Sequence, residues 1–119
     1  MKKLLIVSTI TVLTLTSAVT TPKAQAASIA QSICEYVAAD DKKRMRAFLK
    51  LNKIKIRRIF DDIQCNGKNL LEFASVRGSV KTGSLIILKL PKKVVTANLA
   101  SLQTGPQSLI DAANVRVSS

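Results

Sequence analysis

Apolar residues recur along the chain in short blocks, each closed by residues that favour turns. From Ser28 onward Ile29, Ile33 and Val37 repeat every fourth position with Ala30, Cys34 and Ala38 beside them, the stripe of an amphipathic helix with Ser28 as its N-cap. Asp40-Asp41 interrupts the stripe. Two carboxylates suit the N-cap and first turn of a second helix, "KKRMRAFLKL", in which Met45, Phe48 and Leu49 face inward. Lys42, Lys43, Arg46 and Lys50 fall on a neighbouring arc, so the two helices read as a hairpin that is apolar inside and cationic outside.

After Asn52, a reasonable stop, "KIKIRRIFDDI" carries two periods at once. Ile54 and Ile56 alternate as in a strand, while Ile56, Ile59, Phe60 and Ile63 fit one helical stripe, and a short helix or irregular turn is expected. The next stretch, "CNGKNLLEFASVRGS" from Cys65 to Ser79, has its start and stop written out. Asn66-Gly67 marks a turn, Asn69 and Glu72 have the spacing of a capping box, and Leu70, Leu71, Phe73 and Ala74 supply the buried side. Gly78 ends this helix by taking the left-handed conformation. A fourth helix, "TGSLIILKL", packs Leu85, Ile86 and either Ile87 or Leu88, and Pro91 stops it. Beyond Lys93 the chain turns polar and nearly uncharged. Val95, Leu99 and Leu102 allow a helical turn or two, Gly105-Pro106 breaks any continuation, and residues 94–119 are expected to form a flexible tail.

The opening "MKKLLIVSTITVLTLTSAVTTPKAQAAS" has a different logic. Lys2 and Lys3 precede a threonine-rich apolar run, and Ala24-Gln25-Ala26 places small residues as signal peptidase requires, so residues 1–26 read as a secretory signal peptide. The run from Leu4 to Val19 is shorter than the roughly 20 residues of a membrane span, and no cysteine follows it to take a lipid. The expected product is one small helical domain over residues 27–93 with the tail behind it, periplasmic or secreted.

Charge changes the picture of the surface. The chain has 19 basic and 7 acidic residues, and loss of Lys2, Lys3 and Lys23 leaves the mature part at +9. Nine of its basic residues lie between Lys42 and Arg58 with no acid among them, so this segment carries the whole excess. Such a field favours anionic partners within a Debye length of about 8 Å at physiological salt. Lys42, Lys43, Arg46, Lys50, Lys53, Lys55, Arg57 and Arg58 are the candidate partner-binding residues, with a solvated helix face as the plainer reading. Lipid headgroups, lipopolysaccharide or an acidic protein are the partners this charge fits. Export and the shortage of aromatic rings for base stacking argue against nucleic acid.

Little in the chain suits catalysis. Cys34 and Cys65 remain after processing, and in an oxidising compartment an even count points to a bridge, which stabilises a small domain by roughly 3–4 kcal/mol. The chain has no histidine and no C-x-x-C, which removes the usual activators of a thiol, and two cysteines alone cannot complete a tetrahedral metal site. The acidic pairs Asp40-Asp41 and Asp61-Asp62 are sequence neighbours, whose side chains diverge on a helix, so capping or charge balance suits them better than acid–base work. Neither an enzyme nor a cofactor is expected.

Two resemblances follow from these residues. "GKNLLEFASVRGSVKTGSLII" is similar to the ankyrin-repeat pattern through Gly67, Asn69, Leu71, Ala74, Gly78, Ile86 and Ile87, departing from it at Leu70, Glu72 and Gly83. "ICEYVAADDKKRMRAFLK" looks like a degenerate first repeat, although the period of 38 from Asp40 to Gly78 exceeds the ankyrin value of about 33. More closely, Cys34 to Asp41, Cys65-Asn66-Gly67 and Leu70 to Ala74 resemble a family of small exported Gram-negative proteins of unknown function, with a "C-E-x-V-A-x-x-D" helix, a "C-N-G" turn and an "L-L-x-F-A" helix. That resemblance covers roughly Ile33 to Leu90, supports the two-cysteine reading and implies no activity. The expected fold is all-α, two packed ankyrin-like hairpins. The expected role is a non-enzymatic binding module for an anionic envelope component; the alternative is a protein–protein adaptor or inhibitor using the ankyrin-like helical surface.

Overall fold

The computed structural model describes the backbone from Pro22 and the side chains from Ala27, both through to Ser119. The expected signal peptide lies outside the described residues as far as position 21. Among the described residues the protein is all-α, with eight helices and no strand. They are α1 (Pro22–Ala38), α2 (Lys42–Leu51), α3 (Ile56–Ile59), α4 (Leu70–Arg77), α5 (Val80–Lys89), α6 (Lys92–Ala97), α7 (Leu99–Leu102) and α8 (Gln107–Ser118). A single 3-10 turn, Phe60–Asp62, follows α3, so the ambiguous isoleucine stretch resolves as a short helix and turn that bury Ile56, Phe60 and Ile63.

The ends of α2 and α4 follow the sequence closely, whereas Ser28, expected as the N-cap of the first helix, lies inside α1, which begins at Pro22. Asp41 caps α2 by accepting a hydrogen bond from the Arg44 backbone N–H at 3.0 Å. Asn69 and Glu72 form the reciprocal capping box of α4, with bonds of 2.9 and 3.3 Å. At "CNGK", Asn66 and Gly67 both have positive φ, and Cys65 and Lys68 exchange backbone hydrogen bonds across the turn. That geometry is a two-residue turn of the type Asn-Gly favours.

Three helices end with the same pair of backbone bonds around a left-handed residue, which satisfies carbonyls the helix leaves open. At the end of α4 the residue is Gly78, as the sequence predicts. At the ends of α1 and α2 it is Asp40 and Lys53, each with φ of 53°. Asp41 N–H bonds Tyr36 C=O at the first, and Ile54 N–H bonds Leu49 C=O at the second.

α5 holds the centre. Its Leu85, Ile86 and Ile87 are buried, and it packs against α1, α2, α3, α4 and α8. Leu88, the other candidate for the buried face, is 68 % exposed. Gly83 makes the contact with α8 close: a Cβ there would stand 2.6 Å from Leu109 Cδ2 and 3.2 Å from Ala74 Cβ. The glycine that departs from the ankyrin pattern is thus where Leu109 enters.

The C-terminal segment differs from expectation. Residues 94–119 are not a loose tail: most of α6, all of α7 and all of α8 lie there, and Val95, Leu102, Leu109 and Ala113 are fully buried. Apolar residues do recur there at helical spacing, Val95, Leu99 and Leu102 and then Leu109, Ala113 and Val117, but the small and polar residues between them and the Gly105-Pro106 break obscure the stripe. Pro91 and Gly105-Pro106 do interrupt the chain's helices as the sequence predicts, but each proline then begins a new helix as its N-cap residue. A proline needs no N–H partner in a first turn, so it can open a helix as readily as it closes one. Phe48 also departs, being half-buried against Tyr36 with ring centroids 5.5 Å apart.

Candidate anion-binding surface

α2 places its basic arc as its periodicity requires. Met45 and Leu49 are buried, and Lys42, Lys43, Arg46 and Lys50 emerge together on the outer side around a recess of about 610 Å3 at the α1–α2 junction. Lys81 at the start of α5 joins them there, and Asp40 and Asp41 line the same recess. This recess is therefore of mixed charge.

A second groove, of about 830 Å3, runs between α2, the α2–α3 connection, the end of α5 and α8. Arg46, Lys50, Lys53, Lys55 and Arg57 border it on one side, and Lys89 and Arg116 come from α5 and α8. No aspartate or glutamate lines it. Beneath the cations lies apolar surface from Leu49, Ile56, Leu85 and Leu90, all buried, together with exposed Leu88. Of the eight residues expected from the sequence, Lys42 and Lys43 border only the first recess, Arg46 and Lys50 border both, Lys53, Lys55 and Arg57 border only the second, and Arg58 borders neither.

Lys89 and Arg116 were not legible as members of this surface. Arg116 lies in the segment read as a tail, and nothing in its neighbourhood links it to α2. In the structure its Nη2 donates to the Leu90 carbonyl at 3.1 Å, tying α8 to the end of α5. Its Nε is buried and, among the described residues, has no hydrogen-bond partner.

The nearby carboxylates are occupied elsewhere. Asp41 caps α2 and pairs with Arg44 at 3.4 Å, the one ion pair among the described residues. Asp40 accepts from the backbone of α5. All eight candidate cations are exposed and make no ion pair among the described residues. Asp61 and Asp62, read from the sequence as capping or balancing charge, form no salt bridge among the described residues with Arg57 or Arg58 nearby in the chain.

Cys34 and Cys65 are joined as a disulfide, tying α1 to the turn that precedes α4. Neither described cysteine is free. Among the described residues no three histidine, cysteine, aspartate or glutamate side chains gather as a metal-binding group.

Comparison with curated proteins and with solved structures gives no match. The ankyrin-like pattern therefore gains no support from either. Comparison with protein families does give one, described as "Protein of unknown function (DUF3718)", over residues 33–97. The match begins in α1, ends with α6, and takes in both cysteines, the capped turn and the basic segment. Covering more than half of the 119 residues, it shows that the chain belongs to the DUF3718 family.

Proposed function

We propose that the protein is a non-enzymatic binding module of the periplasm or of secreted material, whose basic face receives an anionic component of the cell envelope. The observation that carries this reading is the groove bordered by seven cations and no carboxylate. Like charges gathered on one surface repel one another, and an anion bound among them relieves that repulsion as well as gaining its own attraction. The bridge between Cys34 and Cys65 fits an oxidising compartment. Among the described residues no helix is long and apolar enough to cross a membrane.

Sedimentation with vesicles tests the reading. Binding to vesicles containing phosphatidylglycerol is expected at low salt, weakening steadily as salt rises, with none to phosphatidylcholine vesicles. The triple variant Arg46→Glu, Lys50→Glu, Arg57→Glu should abolish it while leaving the helical content unchanged, since all three side chains are exposed. Absent binding, or binding indifferent to salt and to these substitutions, refutes the proposal.

A further inference from the structure

The second groove differs from an ordinary basic patch in having an apolar floor. Arg46, Lys50 and Arg57 stand on one side and Lys89 and Arg116 come from elsewhere in the fold, while Leu49, Leu85 and Leu90 lie between. Leu88 is 68 % exposed beside them. A free inorganic anion would satisfy the cations and leave this leucine in water. A neutral lipid would cover the leucine and leave the cations unpaired. An amphiphile with a negative head and a hydrocarbon chain uses both parts of the surface.

From this we infer that the groove seats one anionic phospholipid, its phosphate among the cations and the first part of an acyl chain along Leu88 and the apolar floor; this rests on the reading above and narrows it to a ligand class. Size agrees, since about 830 Å3 lies within the range of roughly 300–1,000 Å3 typical of small-molecule sites. The head has a fixed anchor in Arg116. Its Nη2 donates to the Leu90 carbonyl at 3.1 Å and its Nη1 to Ser119 Oγ at 3.4 Å, and these two bonds fix the guanidinium at the border of the groove. A guanidinium fixed in this way loses little side-chain freedom on meeting a phosphate, unlike the exposed lysines around it. The lysines supply long-range attraction, and the arginine and the leucine supply position.

Calorimetric titration of the mature protein with monomeric lysophosphatidylglycerol, below its micelle concentration, tests this. Glycerol 3-phosphate and lysophosphatidylcholine serve as the head-only and zwitterionic comparisons. Lysophosphatidylglycerol should bind at least about tenfold more tightly than either, as covering one leucine-sized apolar area and pairing the charge together require. Leu88→Asn should weaken it about tenfold without altering the response to glycerol 3-phosphate. Leu51→Asn, at a leucine that is 81 % exposed and does not line the groove, should change nothing. Equal binding of lysophosphatidylglycerol and glycerol 3-phosphate, or equal effects of Leu88→Asn and Leu51→Asn, overturns the lipid seat while leaving the anionic partner standing. Failure of lysophosphatidylglycerol to bind when phosphatidylglycerol vesicles still do has the same meaning. Failure of every anion overturns both.

Discussion

The carboxylate of Asp40, just past the end of α1, accepts hydrogen bonds from the backbone N–H groups of Lys81 and Thr82 at 3.3 and 2.8 Å, and from Thr82 Oγ1 at 3.1 Å. It serves as the N-terminal cap of a helix some forty residues further along the chain. Ser79, the residue locally placed to cap α5, makes no such bond, because its hydroxyl donates instead to the Val37 carbonyl in α1. The end of α1 and the start of α5 thus satisfy each other's open backbone groups. The left-handed backbone of Asp40 is what turns its side chain toward α5 rather than along its own helix.

This exchange predicts an order among variants at position 40. Asp40→Ala removes the cap and leaves a Cβ residue in the left-handed region, so it should cost about 1–3 kcal/mol in urea unfolding. Asp40→Asn keeps an acceptor oxygen and tolerates that backbone, and should lose less than half as much. An alanine variant as stable as the parent would mean that water caps α5 equally well.

Lys53 sets stability against binding. It occupies a left-handed position that glycine fills without strain, and its side chain borders the groove. Lys53→Gly should therefore raise stability by about 1 kcal/mol, while vesicle binding at low salt falls. A glycine variant with undiminished binding would show that Lys53 contributes nothing to the surface.

The seam between α5 and α8 is tight and specific. Leu109→Ala should cost about 2–5 kcal/mol, as fits a fully buried leucine. Gly83→Ala should cost about 1 kcal/mol net, since overpacking against Leu109 exceeds the gain in helix propensity. Combining the two should cost less than the sum, because the alanine at 83 occupies space that the shortened side chain vacates. Additive losses would place the two residues out of contact. The same seam predicts that removing residues 106–119 leaves an unfolded chain rather than a trimmed domain, readable by circular dichroism.

The disulfide should be formed in protein isolated without reductant and matter to its stability. Its partners are 31 residues apart, a loop for which removing the cross-link costs roughly 3–4 kcal/mol in the chain-entropy picture. Alkylation of the native protein without reductant should add no mass, and reduction should lower the unfolding midpoint sharply. Cysteines that alkylate freely in the native protein would contradict the bridge.

The local grammar of this fold was legible because its signals act within a few residues. Asn69 with Glu72, Asp41 before α2, Asn66-Gly67 in its turn and Gly78 at its stop each operate through bonds to backbone groups three or four positions away, and the structure has each where the sequence puts it. The basic arc of α2 was legible for the same reason, being set by helical period alone.

What the sequence determined by itself was therefore an all-α protein, the caps and turns around α2 and α4, and a cationic segment from Lys42 to Arg58. What only the tertiary structure decided was which elements those parts serve. Asn69 reads as a cap, and in the fold its amide also donates to Asn98 at 2.8 Å, joining α4 to the end of α6. Asp40 reads as part of α2's start and closes α5 instead. Arg116 reads as a stray charge in a tail, and the packing of Leu109 and Ala113 brings its helix onto the core and its side chain to the cationic groove. The physical reason is common to all three: a hydrogen bond or a buried contact between distant residues leaves no period in the chain, and exists only once the helices have packed.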